Sequence, residues 1–465
     1  METTQNYPNL KDKKSYIKHT IRFLVFSIIG GLIFFLQVPE EDGTVNILFG
    51  AITDFLKGLL GDANVYIIVA IIVGNTIMFI IGRFFLKKGN KLHEFYSDVS
   101  PYQIVCYALG SVVILMYWLN IGPEWLIGPD TAGSIVGILM TILWTISLGA
   151  AFVSLLTSYG ALEFVGTLFE PLMRPLYRLP GCAALDAIAS FVGTSSIGVY
   201  LTSIVYKQGK YTQREAIAIA TTFSVVSVSF AAVCVETAGM MPYFGVIFIS
   251  TFIITFLMAI LIIRIPPLSL KKNIYYDGTE QPESVRKERI HYSKTLFKTA
   301  TNRAVGQAST IPNAAVDFGV NLWEGAKLLF KSLAVVFSVG TLGMILATYT
   351  PIFQWLGYPV IPILNLLGVP DAALVSETVF VGFAEMFLPN ILVAGMEIDV
   401  AAKFFVCVLS MVQIIYMSEV GVVLLICGIP IKMRDMIIIF LERTAIAIPV
   451  IAGVMHLLCA MGILP

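Results

Sequence analysis

The chain has 465 residues, of which 57% are hydrophobic and only 13% are charged, and its mean hydropathy is +0.85. Soluble globular proteins are about 45–50% apolar and about 25% charged, so this composition excludes an ordinary soluble protein. The formal net charge is zero, so the composition does not point to a nucleic acid or to an acidic protein as a partner. The six cysteines form no CxxC pair and the four histidines form no ligand cluster, so a metal or redox enzyme has no support.

Nine apolar runs are predicted as membrane-spanning helices, each of which needs about 20 residues. The first follows a polar, basic start, Met1 to Arg22, and lacks a small-residue cleavage site, so it is predicted as a helix rather than a removable signal peptide. Segment 44–60 is shorter and has helical apolar spacing, which predicts an interfacial helix on the outer face. The predicted spans are 21–38, 64–85, 102–122, 133–158, 214–239, 242–265, 327–349, 401–428 and 443–463.

Two further apolar stretches, 182–206 and 371–395, are interrupted by Gly, Pro and small polar residues. Irregular backbone is tolerated at membrane depth only where protein or water covers it, so both are predicted to be re-entrant hairpins. With both as hairpins, the basic residues collect on one side, and only Lys57 and Lys403 fall on the other. The positive-inside rule then places the N-terminus in the cytoplasm and the C-terminus outside, in a multi-pass protein of the bacterial inner (plasma) membrane.

The second half repeats the first at an offset of about 190 residues. Phe191-Val192-Gly193 recurs as Phe380-Val381-Gly382, and each hairpin follows a proline, Pro180 or Pro370. Each repeat unit crosses the membrane three times. Because three is an odd number, the second copy is inverted relative to the first, as in many secondary transporters. We therefore expect an all-α polytopic membrane protein with about nine transmembrane helices plus two re-entrant helical hairpins in an inverted repeat. The expected domains are 1–130 (N-terminal helices and the interfacial helix), 131–265 (first repeat, hairpin 182–206), 266–326 (cytoplasmic linker) and 327–465 (second repeat, hairpin 371–395).

The first hairpin turns around Gly193-Thr194-Ser195-Ser196. Small residues let the backbone approach a ligand, and hydroxyls with freed carbonyls suit a small cation or a polar solute. Close helix packing through small residues is the structural alternative. These four residues are therefore candidates for a binding site.

The second hairpin carries Glu377, Thr378, Glu385 and Asn390 in an apolar stretch. Carboxylates are costly to bury in a membrane, so ionisable groups there are functional candidates. The two glutamates could bind a cationic group, accept a coupling proton or cap half-helices. Asn390 follows a proline at a helix start, where free N–H groups also point into a site.

The helices after the two hairpins carry matched polar residues, and Glu419 follows at mid-helix depth. Serine on a membrane helix usually bonds to the preceding turn, so a structural role is the alternative for each serine. The matched positions are Ser224, Ser227 and Ser229 in the first repeat and Gln413, Tyr416 and Ser418 in the second. Asp186 and Glu236 are expected at solvated positions. For Glu442-Arg443, an internal ion pair and the end of an interfacial helix starting near Asp435 are the alternatives, and the second is favoured.

These motifs together resemble the "nucleoside recognition" Gate-domain membrane proteins, and most closely their YjiH-type family in bacteria. The resemblance covers roughly 140–460 and is carried by Phe191–Ser196 and by 377–389. Gate domains also occur in concentrative nucleoside transporters and ferrous-iron transporters. The resemblance implies a fold like the nucleoside carriers, in which hairpin tips and the following helices enclose substrate and Na⁺. It places Gly193–Ser196 and Ser224–Ser229 in one half of the site, and Glu377, Glu385, Asn390, Gln413 and Tyr416 in the other.

The expected function is secondary active transport of a small polar solute, coupled to Na⁺ or H⁺, by alternating access. A nucleoside, an amino acid and a dipeptide are the candidate solutes, and the acidic residues favour one with a cationic group. We expect substrate contacts from Ser195, Ser196, Glu377, Thr378, Glu385, Asn390, Gln413 and Tyr416. We expect ion coupling by Gly193, Thr194, Ser224, Ser227, Ser229 and Glu419.

A non-transporting membrane assembly or signalling protein that keeps the fold is the alternative function. No HExxH, paired-Asp or Ser/His signature is evident, so no enzyme is predicted. We expect no cofactor other than Na⁺ or H⁺ as the coupling ion, and no metal site. The expected partners are the lipid bilayer and the solute but no nucleic acid, and a homo-oligomer stays open.

Overall fold

The computed structural model describes residues 13–39, 45–87, 89–97, 99, 101–192, 195–287, 292–394 and 396–465. Within these ranges the chain is helical apart from one small antiparallel ribbon, in which strand β1 (Gln37–Pro39) pairs with strand β2 (Val45–Ile47). Seven of the described helices are long and apolar enough to cross a membrane. The chain is therefore a multi-pass membrane protein.

The helices of the first half include the predicted helix in 44–60, which is α2. They are α1 (Lys13–Phe35), α2 (Leu48–Leu60), α3 (Ala63–Ile80), α4 (Lys91–Phe95), α5 (Pro101–Leu119), α6 (Glu124–Ile127), α7 (Ser134–Thr157), α8 (Ala161–Tyr177), α9 (Ala183–Val192), α10 (Ser195–Lys207), α11 (Gln213–Thr222), α12 (Val228–Thr237) and α13 (Phe244–Ile262).

The connector and the second half contain the other ten helices of the described residues. They are α14 (Glu283–Lys287), α15 (Leu296–Thr310), α16 (Ala314–Tyr349), α17 (Ile352–Gly357), α18 (Ile361–Leu366), α19 (Ala372–Thr378), α20 (Leu388–Ala394), α21 (Val400–Gln413), α22 (Val420–Ile426) and α23 (Met433–Ala460).

Two of the nine predicted spans, 214–239 and 401–428, are wrong as continuous helices. The first is divided into α11 and α12, and the second into α21 and α22. Ser227 explains part of the first break, because its side chain accepts a hydrogen bond from the Phe230 amide and caps α12. In the second break Ile414 has a positive φ of 62°, which an α-helix does not accommodate, so α21 ends at Gln413.

Both predicted hairpin stretches contain pairs of short helices. Helices α9 and α10 pack together, and α19 is followed by a 3₁₀ turn, Val381–Phe383, and by α20. The approach of α10 to α9 requires the glycine at 198, since a Cβ there would lie 1.6 Å from Ser190 Oγ. The interruptions in the sequence therefore mark real breaks in helical structure.

Helix α16 is 36 residues long and runs without a break across the predicted domain boundary at 326/327. Asn313 starts it by accepting hydrogen bonds from the amides of Ala315 and Val316. No proline interrupts the helix before Pro351. Its membrane part packs mainly against α7 and α5. The last part of the predicted linker and the next predicted span are thus one helix.

Candidate functional site

The gaps in the two broken helices lie in the core of the bundle, where backbone groups need hydrogen-bond partners. In the first gap, Ser195 Oγ at the start of α10 donates to the carbonyl of Val225 at 3.0 Å. In the second gap, the amide of Met417 donates to the Phe383 carbonyl at 2.7 Å, and that of Ser418 to the Ala384 carbonyl at 3.0 Å. Each broken helix is therefore joined to the paired short helices of its own half.

Arg443 on α23 connects the ends of α11 and α21. Its guanidinium is fully buried and donates to the Val412 carbonyl at 2.6 and 3.1 Å and to the Thr221 carbonyl at 3.4 Å. Both carbonyls belong to the last turn before a break, where a helix end carries partial negative charge. One cation thus stabilises both interrupted helices.

Neither alternative for Glu442-Arg443 matches the structure. Helix α23 continues from Met433 to Ala460, so Arg443 does not end an interfacial helix. Among the described residues, no carboxylate lies within 4.0 Å of its guanidinium. Main-chain carbonyls take the place of an anionic partner for the buried guanidinium. Arg443 can therefore lie inside a continuous helix, and the favoured prediction of a helix end was wrong.

A cavity of about 250 Å³ lies where the two gaps meet α7 and α10. Most of its wall is apolar, with Ile138, Ile142 and Ile146 contributed by α7. Its polar wall contains five predicted site residues, Ser195, Ser196, Ser227, Tyr416 and Glu419. A small, largely apolar cavity with a few convergent polar groups is the usual form of a ligand site.

The Glu419 carboxylate lies at the centre of this polar wall. Ser196 Oγ donates to its Oε1, and the Tyr416 hydroxyl donates to its Oε2 at 3.0 Å. Glu419 is partly exposed to the cavity, and no cation pairs with it among the described residues. A carboxylate without a counter-ion in an apolar surrounding favours a bound cation or a proton.

Glu385 lies beside Ser418 and within electrostatic reach of Glu419, although it does not line the cavity. Its Oε1 accepts a hydrogen bond from the Phe387 amide at 3.0 Å. This contact matches the capping role among the alternatives for Glu385, and it leaves the second oxygen in the region of Ser418.

Gln413 and Asn390 are buried next to the second gap but do not line the cavity. Gln413 Nε2 donates to the Val379 carbonyl at 2.7 Å and to Thr444 Oγ1 at 2.9 Å, and Asn390 Nδ2 donates to Ser410 Oγ at 3.2 Å. Their side-chain oxygens have no hydrogen-bond partner within the described part of the chain. Two buried acceptors are thus available to a water, an ion or a ligand.

Ser224, Glu377 and Thr378 do not line the cavity. Ser224 is buried in the first gap, Thr378 Oγ1 donates to the Val375 carbonyl at 2.8 Å within α19, and Glu377 lies half-buried on α19. Ser229 lies on α12. Gly193 and Thr194 fall outside the described residues. The binding roles assigned to all of these residues stay predictions.

Asp186 was expected at a solvated position, and that expectation was wrong. The side chain is 1% exposed and accepts hydrogen bonds from the Tyr211 hydroxyl and, at 3.0 Å, from Thr202 Oγ1. Both donors belong to the same half of the chain, so this carboxylate joins α9, α10 and the segment before α11. An ionisable residue inside an apolar stretch was the signal that sequence reasoning passed over at Asp186.

Comparison with known proteins gives two matches. Residues 139–241 match the family model Gate, described as nucleoside recognition. This range includes α9, α10 and the first broken helix, and with them Ser195, Ser196 and Ser227. An uncharacterized protein from Alkalihalophilus pseudofirmus is 33% identical over 441 residues, which is 94% of each chain. No solved structure matches the chain. Among the described residues, no group of three or more His, Cys, Asp or Glu side chains could hold a metal ion.

Proposed function

Because the chain belongs to the Gate-domain, nucleoside-recognition family of membrane proteins, we propose that it is a secondary active transporter. It moves a small polar solute, such as a nucleoside, amino acid or dipeptide, with Na⁺ or H⁺ as the coupling ion. The observation that carries this proposal is the Glu419 carboxylate, which faces a small cavity between two broken helices and accepts hydroxyl hydrogen bonds from both halves of the chain. Binding sites formed at interrupted helices are the recurrent design of secondary transporters.

The proposed topology has nine crossings, formed by the seven long helices and the two broken helices. Stretches 182–206 and 371–395 enter from opposite faces as re-entrant hairpins of an inverted repeat, with the N-terminus in the cytoplasm and the C-terminus outside. The positions of the breaks support the repeat, because α11 ends at Thr222 and α21 at Gln413, close to the sequence offset of 189. The positive-inside charge distribution supports the orientation.

Glu419 serves the transported species directly in this mechanism. A cationic group of the bound solute compensates its charge and weakens the hydrogen bonds from Ser196 and Tyr416. Since Ser196 belongs to the first half and Glu419 to the second, loading the site changes the contact between the halves. Alternating access then follows from movement of one half against the other.

Glu385, with the free oxygens of Gln413 and Asn390, forms a second polar region beside the second gap. Oxygen ligands of this kind suit a hard cation such as Na⁺, and a neutral side-chain oxygen binds a cation without adding charge. We assign coupling-ion binding to this region and solute binding to the cavity. This assignment replaces the expected division, in which Ser227 and Glu419 served the ion alone.

The proposal is tested with purified protein in proteoliposomes. Thermal stabilisation by nucleosides, amino acids and dipeptides selects candidate solutes, and uptake of each is then measured with an imposed Na⁺ or H⁺ gradient. Gradient-dependent uptake that is lost in Glu419→Gln and kept in Glu236→Gln, an exposed residue of α12, supports the proposal. The absence of both stabilisation and uptake across all three solute classes would overturn it.

A further inference from the structure

A second and larger cavity, of about 760 Å³, lies where α8 ends, α11 begins and α13 ends. It shares no lining residue with the cavity at Glu419. In the described part of the chain, five arginines line it, together with one carboxylate, that of Glu215. The arginines are Arg174, Arg178, Arg214, Arg264 and Arg286.

The one carboxylate of this cavity is already occupied. Glu215 accepts hydrogen bonds from the Thr212 amide at 2.9 Å and from Gln281 Nε2 at 3.2 Å, and it forms an ion pair with Arg174 at 3.4 Å. Arg174 also pairs with Glu170 at 2.7 Å. Arg174, Glu170 and Glu215 therefore form one connected unit, and Arg286 pairs with Glu283 at 3.4 Å.

Arg178, Arg214 and Arg264 have no carboxylate within 4.0 Å among the described residues. Arg264 Nη2 donates to the Leu176 carbonyl at 2.7 Å, and Arg214 Nη2 donates to the Ile263 carbonyl at 3.4 Å. Burial and the neighbouring Arg178 lower the pKa of the Arg264 guanidinium. Positively charged guanidinium groups thus lie together at a concave surface, where hydrogen bonds to main-chain carbonyls hold Arg214 and Arg264 in place.

The positive-inside rule explains single basic residues at the cytoplasmic surface, but it does not require them to converge. Here they come from four segments: the end of α8, the first turn of α11, the residues after α13, and α14. All of them are arginine, whose planar guanidinium forms paired hydrogen bonds with phosphate oxygens. The volume also falls within the range of small-molecule sites.

We propose that this cavity binds a phosphate-bearing anion at the cytoplasmic face, which is either the headgroup of an acidic phospholipid or a soluble phosphorylated metabolite. The anion would lie between Arg178, Arg214 and Arg264 and relieve their mutual repulsion. Because Arg214 belongs to the first turn of α11, a bound anion would also hold the cytoplasmic end of the first broken helix against α8 and α13. The site is thus placed to regulate the protein without contacting the transported solute.

The test uses the full-length protein in two lipid settings. In phosphatidylcholine nanodiscs, binding of inorganic pyrophosphate is measured by titration, and in nanodiscs with and without phosphatidylglycerol, thermal stability is compared. The variant is Arg214→Gln with Arg264→Gln. The matched control, Lys294→Gln with Lys298→Gln, removes the same charge from exposed positions of the connector.

Pyrophosphate binding that the arginine variant weakens by at least about tenfold, and the control does not, supports a soluble phosphate ligand. Stabilisation by phosphatidylglycerol alone, lost in the arginine variant and kept in the control, supports a lipid headgroup. If the wild-type protein responds to neither probe, or the control loses as much as the arginine variant, the proposal is overturned. The single variant Arg264→Gln, whose side chain donates hydrogen bonds to the main-chain carbonyls of Ile260 and Leu176, gives the same comparison if the double variant does not fold.

Discussion

The hydroxyl of Ser196 donates a hydrogen bond to the Glu419 carboxylate, joining α10 to the start of α22 across 223 positions of the sequence. Tyr416 donates to the other carboxylate oxygen from the second gap itself. The two halves of the chain thus meet at one ionisable group, in a cavity whose other walls are mostly apolar. In the proposed mechanism, the charge state of this group and its ligands control this contact between the halves.

Replacing Glu419 with glutamine tests that contact. The amide keeps the shape of the side chain but removes the charge that a cation or proton would compensate, so we expect solute uptake to fall by at least about tenfold. The thermal unfolding temperature should change little, because the group is partly exposed to the cavity. Glu236→Gln is the control, since Glu236 is exposed on α12. Equal uptake by the two variants would remove Glu419 from the mechanism.

Arg443 is expected to be a stability residue. Arg443→Leu leaves the buried carbonyls of Val412 and Thr221 without their donor, and each unpaired buried group costs about 1–3 kcal/mol. Arg443→Lys should be intermediate, because one ammonium cannot reproduce the fork of donors. Thermal unfolding in detergent measures both, with the exposed Arg434→Gln on the same helix as the control. An unfolding temperature that is the same in Arg443→Leu as in the wild-type protein would show that water replaces the guanidinium as the hydrogen-bond donor.

Gly382→Ala should disturb Gln413. A Cβ at position 382 would lie 2.4 Å from Gln413 Oε1, and the Gln413 side chain is held by hydrogen bonds to Val379 and Thr444. Overpacking of this kind costs about 1–3 kcal/mol, so the unfolding temperature should fall. Gly245→Ala on α13 is the control, since nothing lies within 4 Å of an added Cβ there.

The source of the Gly382→Ala effect can be separated with a double variant. If the contact with Gln413 is the cause, Gly382→Ala combined with Gln413→Ala should be no less stable than Gln413→Ala alone. A further loss in the double variant would assign the effect to other contacts of the added methyl group, such as Pro389.

Tyr211→Phe should destabilise the first half. The change removes the hydroxyl that donates to the buried Asp186 carboxylate and leaves Thr202 as its remaining side-chain donor. We expect the free energy of unfolding to fall by about 1–3 kcal/mol, since a charged acceptor loses a donor without gaining water. The same substitution at Tyr276, which is exposed, should be nearly neutral. If the two variants lower the unfolding temperature equally, the hydrogen bond to Asp186 contributes little.

Hydropathy was sufficient to predict seven of the nine spans, since a continuous apolar run is a property of local sequence. It failed at 214–239 and 401–428, because hydropathy averaged over a whole span does not detect the five or six non-helical residues that interrupt each of them. Ser224 and Ser227 marked the first break, yet serines at that spacing also suit a continuous packed helix. The hydrogen bonds from the neighbouring short helices distinguish the two structures.

Sequence reasoning could not predict which distant residues contact each other. Ser196 and Glu419 were both identified as site residues, but they were assigned to different ligands because nothing local shows that they touch. Arg443 was harder still, since its partners are main-chain carbonyls that any residue provides. Asp186 was missed because its donors, Thr202 and Tyr211, become neighbours only when α9 and α10 fold back on each other.

Helix α16 has 36 residues and is therefore about 54 Å long, whereas the hydrocarbon layer is about 30 Å thick. This single helix is therefore about 24 Å longer than the hydrocarbon layer is thick, and it includes residues 314–326, which the sequence assigned to a separate linker. Because no joint separates its two ends, a tilt of the part packed on α7 is converted into a larger sideways displacement at Ala314. The end of the connector at Ala314 therefore moves together with the part of α16 that packs on α7.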